Sequence, residues 1–184
     1  YRSDYTATHN SEIALQFENV TGSGVVRIDL ELHAGEILGI GGLTDCGMHT
    51  LGKIGFGLIS PDIGRVVHGK GTLVKNPRSA MKSGMGYISK DRDRESLITA
   101  SSIKDNICLP SLGKLSKGGV IPKSGERKFA EKWAEKLEVK MNSVDQYVMY
   151  LSGGNKQKVA IAKWLGFHAQ TLILDCPTRG IDIG

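Results

Sequence analysis

The run Leu151-Ser152-Gly153-Gly154-Asn155-Lys156-Gln157, followed twenty residues on by Thr171-Leu172-Ile173-Leu174-Asp175, constrains this chain more than any other feature. A serine before two glycines reads as a helix start, and a bare helix start offers unpaired backbone N–H groups to an anion. The apolar run reads as a buried strand that delivers a carboxylate at its C-terminal end. A helix feeding such a strand belongs to an α/β fold, and the two motifs together point to nucleotide phosphates.

A second element of the same kind is expected upstream. Glu36-Ile37-Leu38-Gly39-Ile40 reads as a short buried strand, Gly41 to Gly47 as a glycine-rich loop, and Met48 to about Gly57 as a helix. Strand, glycine loop and helix in that order is the arrangement a phosphate-binding loop needs. Alternation predicts strands at 13–20 and 25–32, the latter with Val26, Ile28, Leu30 and Leu32 on one face. Residues 65–68, 71–74 and 85–89 are further short strands, and 79–83 a turn or two of helix. From about 96 to 150 helical periodicity takes over. Phe129, Ala130, Trp133, Ala134 and Leu137 recur at helix spacing behind Ser124 as N-cap, and this stripe reads as core packing. The expected organisation is a polar linker at 1–11 and one α/β domain at 12–184 with a helical subdomain at about 96–150. Because the chain stops just after a strand end, that domain is expected to be truncated.

Composition narrows the function classes. At 184 residues, 40% hydrophobic and 23% charged, the chain suits a soluble globular domain. No apolar stretch approaches the ~20 residues of a membrane span. The first ten residues lack the apolar core of a signal peptide, so a cytosolic environment is expected. The net charge of +5 is carried by basic residues interleaved with acids, as along 126–136, which is a solvated helix face rather than a nucleic-acid surface. Cys46, Cys108 and Cys176 are widely separated and the five histidines scattered, so spacing supports neither a disulfide framework nor a metal cluster.

The order of glycine loop, Tyr87-Ile88-Ser89-Lys90-Asp91, helical lobe, Leu-Ser-Gly-Gly and the strand ending at Asp175 resembles the ATP-binding subunit of ABC transporters over nearly the whole chain. Three stretches resemble the second nucleotide-binding half of bacterial monosaccharide importers of the ribose, galactose and xylose type: Gly35 to Leu43, Asp91-Arg92 with Glu95 and Leu97, and Leu172 to Gly184. The resemblance implies a P-loop NTPase-like α/β core with a mixed sheet, a small antiparallel β lobe and an inserted helical subdomain. It also implies ATP and Mg²⁺ as cofactors, held between two halves packed head to tail. One half grips ATP with its phosphate loop. The other presents the signature, here Ser152, Gly153, Gly154, Asn155 and Gln157. The implied partners are a second nucleotide-binding half, in the same polypeptide or as a dimer, membrane-spanning permease subunits and, indirectly, a periplasmic or surface sugar-binding protein. The implied location is peripheral, on the cytoplasmic face of the cell membrane.

Departures from the family pattern fall on one side of this mechanism. Gly42 and Gly47 keep the loop spacing, but Met48 stands where a cation belongs and His49 where a hydroxyl belongs, with Thr50 one place later. Asp45 adds negative charge inside the loop, beside Cys46. Cys176 follows Asp175 in place of the water-orienting glutamate, and a thiol cannot do that work at neutral pH. With His49 at the position of its nominal magnesium partner in the loop, Asp175 also reads as a plain strand-end carboxylate. Lys90 replaces the metal-sensing residue, and no aromatic lies between Phe17 and the loop to stack on adenine. The signature is whole, with a helix expected over 155–165 and Lys156 and Lys158 adding positive charge near its start. The expectation is a half that completes a partner's ATP site while its own loop is weak or silent. The alternatives are an active ATPase with atypical loop chemistry and a regulatory or scaffold module that no longer uses nucleotide.

Overall fold

A computed structural model describes residues 11–43, 45–116 and 118–178. Nearly all of the expected linker, and the last part of the importer-like stretch, from 179 to 184, therefore lie outside the described residues. The chain divides into two compact units, 1–86 and 87–184.

The first unit is an antiparallel sheet with two helices. Strand β1 (Ile13–Gly22) runs between β2 (Val25–His33) and β3 (Ile63–His68), and β4 (Thr72–Leu73) adds to the far edge, giving the order β2-β1-β3-β4. The β1–β2 hairpin closes through Ser23 at φ 48° and Gly24 at φ 87°. Two successive left-handed residues match the twist of the flanking strands. Leu15, Phe17 and Val20 of β1 are buried together with Val66 of β3, and α1 (Met48–Gly55) adds Leu51 and Ile54. Helix α2 (Pro77–Lys82) starts on a reciprocal cap: the Ser79 N–H donates to Asn76 Oδ1 at 2.9 Å and the Asn76 N–H to Ser79 Oγ at 3.1 Å. Pro77 sits at its first turn, where a missing N–H costs nothing.

Two expectations fail in this unit. Val26 does not share a face with Ile28, Leu30 and Leu32; Val25 is buried instead and Val26 is exposed. Between the pairs Val20↔Ile28 and Gly22↔Val25 the second strand carries one extra residue. Arg27, at φ 48°, turns its N–H to Thr21 Oγ1 at 2.9 Å. Such a bulge reverses the alternation. The second failure is 36–40, which forms no strand and is not buried; Ile37 is 80% exposed. A strand exists only as half of a pair, and no ladder joins this segment among the described residues. The Glu36 N–H bonds back to His33 O at 3.1 Å, and the His33 N–H donates to the Glu36 carboxylate at 2.7 Å.

The second unit is mostly helical. Strand β5 (Met85–Ile88) leads into it and pairs with β6 (Thr171–Leu174). Between them lie a π turn at Arg92–Ser96 and helices α3 (Ile103–Cys108), α4 (Leu112–Leu115), α5 (Lys123–Lys136) and α6 (Gly153–Phe167). Ile103 and Ile107 of α3, Ala130, Trp133 and Ala134 of α5, and Val159, Ala160 and Ala162 of α6 form the core. The stripe expected as packing on α5 is packing. Small residues let these helices approach: a Cβ on Gly166 would lie 2.9 Å from Phe129 Cζ. Ser124 is not the cap of α5. The helix already begins at Lys123, and the Gly125 and Glu126 amides bond to Pro122 O at 2.9 and 3.0 Å. Strand β6 is less buried than its apolar sequence suggests: only Thr171 is fully inside, and Leu174 is exposed.

Candidate functional site

In the first unit the glycine loop delivers the chain into α1. Gly47 caps this helix at φ 88°, a conformation that favours glycine, and the first helical bond runs from the Leu51 N–H to Gly47 O at 2.8 Å. Met48, His49 and Thr50 thus occupy the first turn, whose amides an α-helix leaves without partners inside itself. The turn holds no acidic side chain, and no side chain caps it. Asp45, at φ 64°, and Cys46 are exposed ahead of it. The Cys46 thiol folds back across the loop: a Cβ on Gly42 would lie 2.3 Å from its sulfur. The backbone is arranged for an anion, whereas the side chains supply no lysine or arginine between Gly41 and Thr50.

In the second unit the ends of β5 and β6 meet. The Asp175 N–H donates to Ile88 O at 2.9 Å, and the Tyr87 hydroxyl donates to Asp175 Oδ2 at 3.4 Å. Burial, and then the Asp175 charge, push the Tyr87 phenol well above its ordinary range, so it stays a proton donor to that carboxylate. Cys176 follows in the left-handed region at φ 52°. Lys90 is exposed just past β5. The Ser89 hydroxyl next to it donates to Glu95 Oε2 at 2.5 Å and accepts from the Asp91 N–H at 3.2 Å, closing the π turn onto the strand end. Tyr87 and Ser89 were legible in the sequence only as strand residues. Their role depends on a neighbour 88 positions away in one case and on a local π turn in the other.

The signature forms the start of α6. Ser152 is the N-cap and is exposed; its Oγ accepts from the Asn155 N–H at 3.5 Å and from Asn155 Nδ2 at 2.9 Å. Around Gly154 a Cβ would meet nothing within 4 Å. Gln157 is not presented with these residues. It is 2% exposed, and its Oε1 accepts from Arg92 Nη1 at 3.3 Å. Five residues along a helix is about 140° of rotation from Ser152, which turns this side chain into the unit. The two lysines expected to add charge at the helix start are bound elsewhere. Lys156 Nζ pairs with Asp93 Oδ2 at 2.7 Å, and Lys158 Nζ donates to Glu138 O at 2.9 Å. The partners of Gln157 and Lys156 are Arg92 and Asp93 of the π turn. Their charges are an ordinary surface pattern until the fold sets them against α6.

An α/β chain with an antiparallel β lobe, a helical lobe and a glycine-led helix has the fold of an ATP-binding cassette. Solved structures share it: a dimeric ATP-binding cassette bound to ADP and Pi superimposes with a TM-score of 0.78 at 23% identity, covering 92% of this chain and 76% of that one. A cassette from Clostridium perfringens that is part of an ABC transporter complex gives 0.72 at 23%, covering 94% and 68%. Residues 25–179 match the ABC transporter family, and the chain belongs to it. It is similar to the ribose import ATP-binding protein of Halalkalibacterium halodurans, with 42% identity over 175 residues, 94% of this chain and 35% of that protein. The corresponding protein of Bacillus subtilis is 38% identical over 176 residues, 95% and 34%. The chain spans about a third of the length of these curated relatives. No helix among the described residues is long and apolar enough to cross a membrane.

Proposed function

We propose that this chain is a nucleotide-binding half of a sugar-type ABC importer. It presents Ser152, Gly153 and Gly154 to ATP held by a partner half, while its own loop, from Gly42 to Thr50, binds nucleotide weakly. The observation that carries this reading is Gly154: it stands in the first turn of a long helix with open space where a side chain would be. A helical glycine costs about 0.5–1 kcal/mol relative to alanine. Among the described residues nothing fills that space, which leaves it open to a group that approaches from outside. An exposed hydroxyl and the amides of a helix start beside it suit a phosphate oxygen.

The loop supports the other half of the reading. Met48 brings no charge, Asp45 brings the wrong sign, and the Cys46 thiol crosses toward Gly42. Bound ATP would supply the phosphate anion, and Mg²⁺ would share its charge. In the first unit the Gly47-led amides and the Thr50 hydroxyl are groups of a kind that suits phosphate and metal. In the second, Asp175 offers a carboxylate of a kind that suits a metal, and the signature start suits the phosphate of a partner's nucleotide. The ribose import relatives favour a pentose or related sugar as cargo. The proposed partners are permease subunits and a sugar-binding protein, and the proposed location is the cytoplasmic membrane face. Equilibrium ATP binding to the chain alone tests the loop: millimolar or no affinity is expected. Micromolar affinity, with hydrolysis abolished by Asp175→Asn, would mean an active ATPase with unusual loop chemistry instead.

A further inference from the structure

We infer that Asn155 is a positioning residue that sets the polarity of the Ser152 hydroxyl, leaving it able only to donate toward an anion. The inference rests on the reading that Ser152 faces a partner's ATP. The chain of bonds begins on the backbone. The Lys140 N–H can only donate, and it lies 2.8 Å from Asn155 Oδ1, which fixes the side-chain amide with its oxygen toward Lys140. The Asn155 NH₂ group is thereby turned the other way, 2.9 Å from Ser152 Oγ. A serine hydroxyl has one proton and two acceptor lone pairs. Asn155 Nδ2 takes one lone pair and the Asn155 N–H, at 3.5 Å, takes the other. What remains is the proton, on an exposed side chain at the positive end of a long helix. Ser152 therefore does not need to rotate or to surrender a competing bond when a phosphate oxygen arrives.

The loop that starts the chain of bonds is itself pinned. The Val139 N–H bonds to Ala134 O at 2.9 Å, and Lys158 Nζ reaches from α6 to Glu138 O at 2.9 Å. Lys140 is thus held against the helix whose first turn it orients. On the opposite flank, the Lys156–Asp93 pair and the Arg92–Gln157 bond tie the same two turns to the π turn. The hydroxyl sits at the end of a rigid relay.

Aspartate in place of Asn155 separates polarity from packing. It is the same size, keeps an oxygen for the Lys140 N–H and places negative charge in the first turn of a helix, where it is stabilising. Its second oxygen, however, accepts from Ser152 and captures the proton. ATP turnover of the assembled transporter and thermal melting are measured for Asn155→Asp, Asn155→Ala, Ser152→Ala and the double alanine variant. The relay predicts that Asn155→Asp melts at or above the wild-type temperature yet turns over more slowly than Asn155→Ala. It also predicts that Asn155→Ala slows turnover several-fold alone and not at all in the Ser152→Ala background. Equal losses from Asn155→Ala in both backgrounds, or turnover by Asn155→Asp at least as fast as by Asn155→Ala, would overturn it. If Ser152→Ala alone leaves turnover unchanged, the reading of the signature itself fails, and the relay with it.

Discussion

The chain carries two helix starts built around glycine, and they differ in what surrounds them. The start of α1 has the backbone of an anion site but neither a capping side chain nor a cation in its loop. The start of α6 has a capping serine, a glycine in open space, and side chains on both flanks that hold its first turns in place. A helix dipole is common to both, worth only about 0.3–1 kcal/mol to an exposed anion. What distinguishes them is preorganisation. At α6 donors are fixed before a ligand arrives, so little ordering free energy is lost on binding. At α1 the helix starts on a left-handed glycine with no lysine or arginine between Gly41 and Thr50.

The widest gap between the two should appear in the assembled transporter. Ser152→Ala removes a fixed donor and is expected to lower ATP turnover about 100-fold, the scale seen when one preorganised donor is deleted; a loss smaller than threefold would dissolve the contrast. The converse test tries to repair the weaker start. Met48→Lys restores a cation to the α1 loop, and a charge-assisted hydrogen bond contributes about 1.5–3 kcal/mol. ATP affinity of the chain should rise by about 10-fold or more in a titration, and no rise would mean that the Cys46 thiol or Asp45, not the missing charge, closes the site.

The sequence made the elements of this contrast legible, but not all of their surroundings. Local rules placed β1, α2, α5 and α6, because alternation, capping residues and helical spacing are properties of neighbours in the chain. They failed where a second segment decides. The apolar run 36–40 looks like a strand, but strand formation needs a partner ladder. Val26 looks inward until one extra residue at Arg27 flips the register. The two lysines at the signature look like free charge for a phosphate until Asp93 and Glu138 O claim them. Gln157 sits in the motif, but it is buried in its unit with Arg92 of the π turn as its partner. The candidate site was legible only as a list of residues; tertiary contacts decide which of them face out.

The anchoring of α6 has a titratable component. Lys163, two turns beyond the signature, donates to Ser96 O of the π turn at 2.7 Å, and burial lowers its ammonium from 10.5 to about 8. At this lysine the unfolded state binds more protons than the native one between about pH 8 and 10.5, so its contribution to stability rises with pH in that window and is lowest below it. The slope contributed by one such group cannot exceed about 1.4 kcal/mol per pH unit. Burial of Cys108 and Tyr87 raises their pKa values and opposes this trend at the alkaline end, so denaturant melts at pH 8 and pH 10 should show a more positive change in stability for wild type than for Lys163→Met. A wild-type slope equal to that of Lys163→Met would remove this lysine from the account of how α6 is held.

The smallest expected effect is the most discriminating, because it moves stability and function in opposite directions. Gly154→Ala fills open space in the first turn of α6, and alanine is preferred there by about 0.5–1 kcal/mol. For a chain of this length that corresponds to a rise in Tm of roughly 1–4 °C. If the glycine is kept for close approach of a phosphate, the same methyl group stands between the helix amides and the partner's nucleotide. ATP turnover then falls while the melt improves. A variant that is more stable and equally active would show that the α6 start is only a well-capped helix, and that the difference from α1 is one of packing alone.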